Sequence, residues 1–273
     1  METGRLSLEE WRAWEQDGFF VREAAFEKAE LERLRDAAER CAADAEAAIV
    51  RGGDPYAIDG NRYHDLVGAT VQYEHAEDTQ TLRVIEPFHG FDAQLDALID
   101  DERLVTPMKD LVRDERVALY TDKLNLKRPR EGSRFRWHQD SPYWAHFAKE
   151  LDRLPNVMLA LDDASVSNGC FRVIRGSHRA GMLPGLEGEG RLGPLFTDPR
   201  AFDEADQVCL EVPAGSLVFF SPHSVHGSEP NHSDLLRRAF VITYQPGGRR
   251  MFKLDAIRNA GARPRPAQPC SSS

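Results

Sequence analysis

From residue 117 onward the apolar residues arrive in short runs, each closed by Gly, Pro, Asn, Asp or Ser. The runs fall at 117–126, 157–161, 171–174, 208–212, 217–220 and 239–244. Short strands punctuated in this way predict an all-β sandwich or barrel. Gly181 to Gly193 carries five glycines in 13 positions and reads as a loop or flap.

The first 115 residues follow another rhythm. Ser7 with Glu10 three residues on is a capping box, and Leu8, Trp11 and Trp14 recur at helical spacing, so a helix is expected over 7–17. Gly18 stops it, and Phe19, Phe20 and Val21 read as a strand. A second helix is expected over 27–49, with Leu31, Leu34, Ala38 and Cys41 on the face that packs on a sheet. Residues 51–75 show no clear period and read as a long irregular segment that serves as part of a pocket lid. Residues 90–114 read as helix in two pieces, divided near Thr106 and Pro107. The expected organisation is one domain over 1–260, helical support mainly in 1–115 and β core mainly in 116–250. Residues 261–273 read as a disordered tail.

Composition narrows the function classes. With 45 acidic residues against 35 Lys plus Arg, the net charge is −10, which argues against a phosphate-backbone binder and mildly favours a neutral or cationic substrate. No apolar run approaches the roughly 18 residues of a membrane span. The opening METGRLSLEEW has no hydrophobic signal-peptide core. Cys41, Cys170, Cys209 and Cys270 lie far apart and form no CxxC, so a reducing cytoplasm is the expected compartment. No nucleic-acid or membrane partner is expected, and the expected assembly is a monomer or weak homodimer.

The feature that carries chemistry is Arg136-Trp137-His138-Gln139-Asp140. At a strand end or the turn after it, His138 and Asp140 can point to one face. Together they are two-thirds of a 2-His-1-carboxylate triad, which holds Fe(II) and leaves coordination positions open. The third ligand must come from a distant strand. His226, after the apolar run 217–220, is the best candidate, with His223 and His178 as competitors.

These residues resemble the phytanoyl-CoA dioxygenase family of Fe(II)/2-oxoglutarate oxygenases. The matching pieces are Trp137-His138-Gln139-Asp140, Asn168-Gly169-Cys170, Gly176-Ser177-His178-Arg179 and His226-Gly227-Ser228, followed by Asn231 and Arg237-Arg238-Ala239. The resemblance implies a mainly β, cupin-like double-stranded β-helix (a jelly roll) with flanking N-terminal helices. It implies His138, Asp140 and His226 as the iron ligands. Arg237, 11 residues past His226, would grip the far carboxylate of 2-oxoglutarate with Ser228 as hydroxyl partner. Asn125 resembles a cosubstrate-binding asparagine, and Trp144 an aromatic lining the cosubstrate or substrate pocket. Arg238 reads as the solvated strand residue of the arginine pair. Lys123 and Lys127 share the parity of Asn125, so one of them could meet an acid.

The implied activity is a dioxygenase that consumes 2-oxoglutarate and dioxygen and hydroxylates or otherwise oxidises an unactivated C–H bond of a small metabolite, in secondary metabolism. Related halogenases replace the carboxylate ligand with a small residue to admit chloride; Asp140 closes that position. Three readings stand beside this one: a protein-modifying oxygenase, an acyl-CoA hydroxylase and a metal-free β-barrel binding module. The aromatics Trp137, Tyr143, Trp144 and Phe147 are expected to wall an enclosed pocket.

Overall fold

The computed structural model describes residues 4–252 and 254–261; the tail expected over 261–273 lies, past Gly261, outside them. Ser7 opens α1 (Leu8–Asp17): its hydroxyl accepts the Glu10 N–H, and the Glu10 carboxylate accepts the Ser7 N–H at 2.7 Å. Gly18 closes the helix at φ +84°, and a Cβ there would lie 2.4 Å from a ring nitrogen of His178. Conformation and space both demand glycine. Next come β1 (Phe19–Arg22) and α2 (Lys28–Ile49), which buries the Leu31, Leu34, Ala38 and Cys41 face.

Residues 51–75 are not irregular. They form β2 (Tyr56–Ile58), β3 (Asn61–Leu66) and β4 (Ala69–Tyr73), an antiparallel meander turning at Gly60 and Gly68. β2 and most of β3 are exposed or half-buried, so no apolar alternation marks them. After β5 (Leu82–Glu86) come α3 (Ala93–Ile99) and α4 (Glu102–Val112). The break between these helices falls at Asp100 and Asp101, not at Thr106 and Pro107. The Asp101 carboxylate caps α4 by accepting the Arg103 N–H at 2.9 Å, and Pro107 sits buried inside the helix.

The β core follows: β6 (Val117–Lys127), β7 (Phe135–His138), a single turn α5 (Ser141–Trp144), β8 (Asn156–Ala160), β9 (Phe171–Ile174), β10 (Gln207–Leu210), β11 (Leu217–Phe220), β12 (His226–Ser228) and β13 (Arg237–Pro246). Nine strands form the larger sheet, in the order β1-β11-β8-β13-β6-β5-β4-β3-β2, and β10-β9-β12-β7 form the smaller. The helices cover the outer face of the larger sheet, where Leu34, Cys41, Ile99 and Met108 meet Leu124, Leu126, Phe240 and Ile242. Between the sheets, Met158, Val218 and Phe220 meet Phe171, Val173 and Leu210. This is a double-stranded β-helix, or jelly roll, with flanking N-terminal helices.

Strand parity positions the site. On β6, Leu124 and Leu126 face the helices, so Lys123, Asn125 and Lys127 face the smaller sheet. On β13, Phe240 and Ile242 face the helices, which puts Arg238 on the same outer face and Arg237 on the inner one. Arg238 is therefore not solvated. It is buried, and it donates to Asp162 at 2.8 Å and to Glu39 of α2 at 2.8 Å.

Candidate functional site

β7 and β12 are antiparallel neighbours in a register that sets His138 opposite His226, with ring centroids 4.1 Å apart. Asp140 lies two residues beyond His138, the end of β7, and its Oδ2 lies 3.8 Å from His226 Nε2. One ligand atom from each of His138, Asp140 and His226 falls within 4.8 Å of the other two, the arrangement a facial triad requires. His223 instead contacts the Ser141 hydroxyl at 3.0 Å, and His178 packs beside Gly18 with Nε2 3.2 Å from the Glu15 carbonyl. Neither competitor joins the cluster.

The imidazole tautomers follow from the backbone. His138 Nδ1 lies 2.8 Å from the carbonyl of Arg136, and His226 Nδ1 lies 2.9 Å from that of Ser224. A carbonyl only accepts, so both Nδ1 atoms carry the proton and both Nε2 lone pairs remain for a cation. Burial pushes the His138 pKa down to about 3, helped by His226, and burial also lowers that of His226. Burial alone would raise that of Asp140; His226, Lys123, His138 and the Asn156 hydrogen bond outweigh it and hold the carboxyl below its ordinary value. The site thus presents two neutral imidazoles and a carboxylate. Asn156, absent from the sequence-based site, donates to Asp140 Oδ2 at 2.8 Å and accepts from Thr243. The long-range pairing of β8 with β13 and β11 brings it there, so no local signal marked it.

Two chambers meet at this cluster. The smaller, of about 80 Å³, runs between the sheets from His138, Asp140 and His226 to Asn125, Ser228 and Arg237. Arg237 is buried, donates to the Ser228 hydroxyl at 3.5 Å, and has an Nε with no hydrogen-bond partner. Burial lowers its pKa to about 10. Lys127 shares the region. Its Nζ donates to Ser228 at 2.8 Å and to the Glu229 carbonyl, and burial, then Arg237, push its pKa down to about 6. A buried guanidinium, beside a lysine that this surrounding keeps from holding its proton, calls for an anion.

The larger chamber, of about 650 Å³, opens from the other side of His138 and Asp140. Ile58, Tyr63 and Gln72 of the meander, Trp144, and Glu189 and Leu192 of the glycine-rich segment line it. Lys123 and Asn125 line both chambers. Trp144 is buried edge-on against Tyr120, at 5.2 Å between centroids, and belongs to the larger chamber. The expected aromatic wall is halved: Trp137 packs against Arg172 and Phe202, and Phe147 is exposed beside Phe252, so only Tyr143 and Trp144 of the four line the chamber.

A family model described as Phytanoyl-CoA dioxygenase (PhyH) matches residues 14–239. A probable alpha-ketoglutarate-dependent hypophosphite dioxygenase of Stutzerimonas stutzeri is 29% identical over 181 residues, 64% of this chain and 62% of that protein. L-proline trans-4-hydroxylase of Streptomyces griseoviridis is 29% identical over 185 residues, 62% of this chain and 69% of that protein. The chain thus spans about two thirds of the length of these curated relatives. The crystal structure of EctD from S. alaskensis with 2-oxoglutarate and 5-hydroxyectoine superposes with a TM-score of 0.67 at 22% identity, covering 93% of this chain and 82% of that one, a likeness of fold.

Proposed function

The chain belongs to the phytanoyl-CoA dioxygenase family, and on that premise we propose that it is an Fe(II)- and 2-oxoglutarate-dependent oxygenase acting on an unactivated C–H bond of a small organic molecule. The observation that carries the reading is the conjunction of two features: three ligand atoms within 4.8 Å of one another, and a buried, underpartnered Arg237 at the far end of a chamber that begins at those ligands. A metal at one end and an anion-seeking fork at the other match the two ends of a 2-oxo dicarboxylate.

The residues present fit both groups. His138 and His226 offer unprotonated Nε2 atoms and Asp140 an anionic oxygen, a donor set suited to non-haem Fe(II). Arg237 holds the distal carboxylate of 2-oxoglutarate as a fork, Ser228 adds a hydroxyl, and Lys127 regains its charge when that carboxylate arrives. Asn125 stands on the wall between the chambers, where it can orient the cosubstrate. Bound iron supplies the activation of dioxygen that couples conversion of 2-oxoglutarate to succinate and carbon dioxide with oxidation of the substrate. Asn156 keeps Asp140 oriented, and the larger chamber, with Trp144 in its wall, presents the substrate on the other side of His138.

The activities for which the relatives are named, those of a hypophosphite dioxygenase and an L-proline hydroxylase, support a small substrate. The larger chamber's size supports it too, against the protein-modifying and acyl-CoA readings. Asp140 stands where an iron halogenase would need room for chloride, which supports oxygen transfer or desaturation. No helix among the described residues is long and apolar enough to cross a membrane. We assign the chain to cytoplasmic secondary metabolism, as a monomer or weak homodimer that takes no nucleic acid. The test is succinate release from Fe(II)-loaded protein against a metabolite panel. The reading expects release coupled to one substrate class; oxidation of a substrate with no succinate formed would overturn it.

A further inference from the structure

Arg83 is a cation that the oxygenase reading leaves without a task. β5 carries one residue more than β4 between the pairs Gln72–Val84 and Tyr73–Leu82, and that extra residue is Arg83. Leu82 and Ile85 face the helical core, whereas Arg83 and Val84 both line the larger chamber. A bulge of this kind re-aims a side chain that strict alternation would send elsewhere.

The guanidinium reaches the chamber among neutral partners. It lies over the Phe135 ring at 3.7 Å, donates to the Arg134 carbonyl at 2.6 Å and to His75 Nε2, and keeps a buried Nε with no partner. Burial lowers the His75 pKa to about 4, so that imidazole brings no charge of its own. Among the described residues no carboxylate comes within 4 Å of Arg83. Glu74 is the acid whose field acts on it, and the same carboxylate also serves Lys127 and Arg237. One oxygen of Glu74 accepts the Ser133 N–H at 2.8 Å, and the other is buried with no hydrogen-bond partner. Acids that line the chamber are engaged as well: Glu189 with Arg136 at 2.7 Å, Asp59 with the Leu192 N–H at 2.6 Å, and Glu86 with the Thr121 hydroxyl at 2.9 Å.

Two phenols complete the arrangement. Tyr63 and Tyr143 line the same chamber as Arg83, and a phenol, which ordinarily titrates at about 10, keeps its proton at neutral pH. The Tyr143 ring stands edge-on to His138 with centroids 6.0 Å apart. A cation flanked by two phenol donors, beside the metal-facing imidazole, recognises an anion.

We propose that Arg83, with the hydroxyls of Tyr63 and Tyr143, seats an anionic head group of the substrate, so that the molecule oxidised is a small organic acid. This rests on the oxygenase reading, in which the larger chamber receives the substrate. It reverses the expectation from net charge, because a whole-chain excess of acid does not set the field inside one cavity.

The test is calorimetric titration of protein saturated with Mn(II) and 2-oxoglutarate, using butyrate and ethylphosphonate as anionic probes and butyramide as the neutral one. Cosubstrate loading is measured first. Failure to load overturns the oxygenase reading alone, and the acid-to-amide ratio is then read on the metal-free protein. At least one anion is expected to bind roughly tenfold or more tightly than butyramide, the scale of a charge-assisted hydrogen bond; whichever wins identifies a carboxylate or a phosphonate site. Arg83→Gln is expected to abolish that preference with 2-oxoglutarate affinity unchanged, and Arg83→Lys to retain part of it. Equal affinity for acid and amide in the unmodified protein, or no acid binding at millimolar concentration, would overturn the proposal. So would an Arg83→Gln variant that weakens 2-oxoglutarate binding and leaves the acid preference intact, which would move Arg83 to the cosubstrate.

Discussion

His138 and His226 are cross-strand partners, and each donates its Nδ1 proton to the carbonyl two residues before it in the sequence. The register of a short β-pair and two local hydrogen bonds thereby set both Nε2 atoms toward Asp140 before any metal arrives. Preorganisation of this kind lowers the cost of assembling a metal site.

The outer support of Asp140 should show in metal affinity. Asn156 is fully buried and donates to Asp140 Oδ2. Asn156→Leu removes that donor and is expected to weaken Fe(II) binding roughly 10- to 100-fold. The check is a competition titration with a chelator, read beside a circular dichroism spectrum that shows the fold retained.

Arg237 should control the cosubstrate and spare the metal. A charge-assisted fork contributes about 1.5–3 kcal/mol, so Arg237→Gln is expected to weaken 2-oxoglutarate binding roughly 10- to 100-fold with Fe(II) affinity near that of the parent. Ser228→Ala is expected to act in the same direction and by less. Separate metal and cosubstrate titrations distinguish this from general damage to the site.

Lys127 gives the cosubstrate-free protein a pH signature. Burial and Arg237 hold its pKa at about 6 in the folded chain, below the roughly 10.4 of a free lysine. Between those values the unfolded chain binds the extra proton, so this group makes stability rise with pH from about 6 to about 10. Lys127→Met should flatten that rise. Denaturant midpoints of both proteins across the window provide the measurement; parallel curves would remove Lys127 from the account.

Much of this was legible in the sequence because it was local. The capping box of α1, the parity of Lys123, Asn125 and Lys127, and the two-residue step from His138 to Asp140 depend on neighbours in the chain. What escaped depends on partners far away. β2 and β3 have too few buried apolar positions to declare themselves, and the alternation of β4 covers only five residues. Asn156 arrives through sheet pairing. Arg237 and Arg238 could not be told apart by composition. Strand parity sends one to the chamber and the other to Asp162 and Glu39.

That last assignment carries a stability consequence. Arg238→Ala removes the cation shared by Asp162 and Glu39, leaving Asp162 with Arg35 at 3.2 Å and Glu39 with Arg128 at 2.7 Å. Removing the cation that the two acids share is expected to cost about 1.5–3 kcal/mol. The midpoint of urea unfolding should fall accordingly, and a variant as stable as the parent would show the network to be dispensable.

The most direct measurement of the central claim is anaerobic addition of Fe(II) to the protein with and without 2-oxoglutarate, followed by absorption spectroscopy. The account predicts a stoichiometric metal-to-2-oxoglutarate charge-transfer band that needs both components, disappears in His226→Ala, and requires more 2-oxoglutarate in Arg237→Gln. Absence of the band in the unmodified protein, or its persistence unchanged in both variants, would contradict the assignment of His138, Asp140, His226 and Arg237 to one iron and 2-oxoglutarate site.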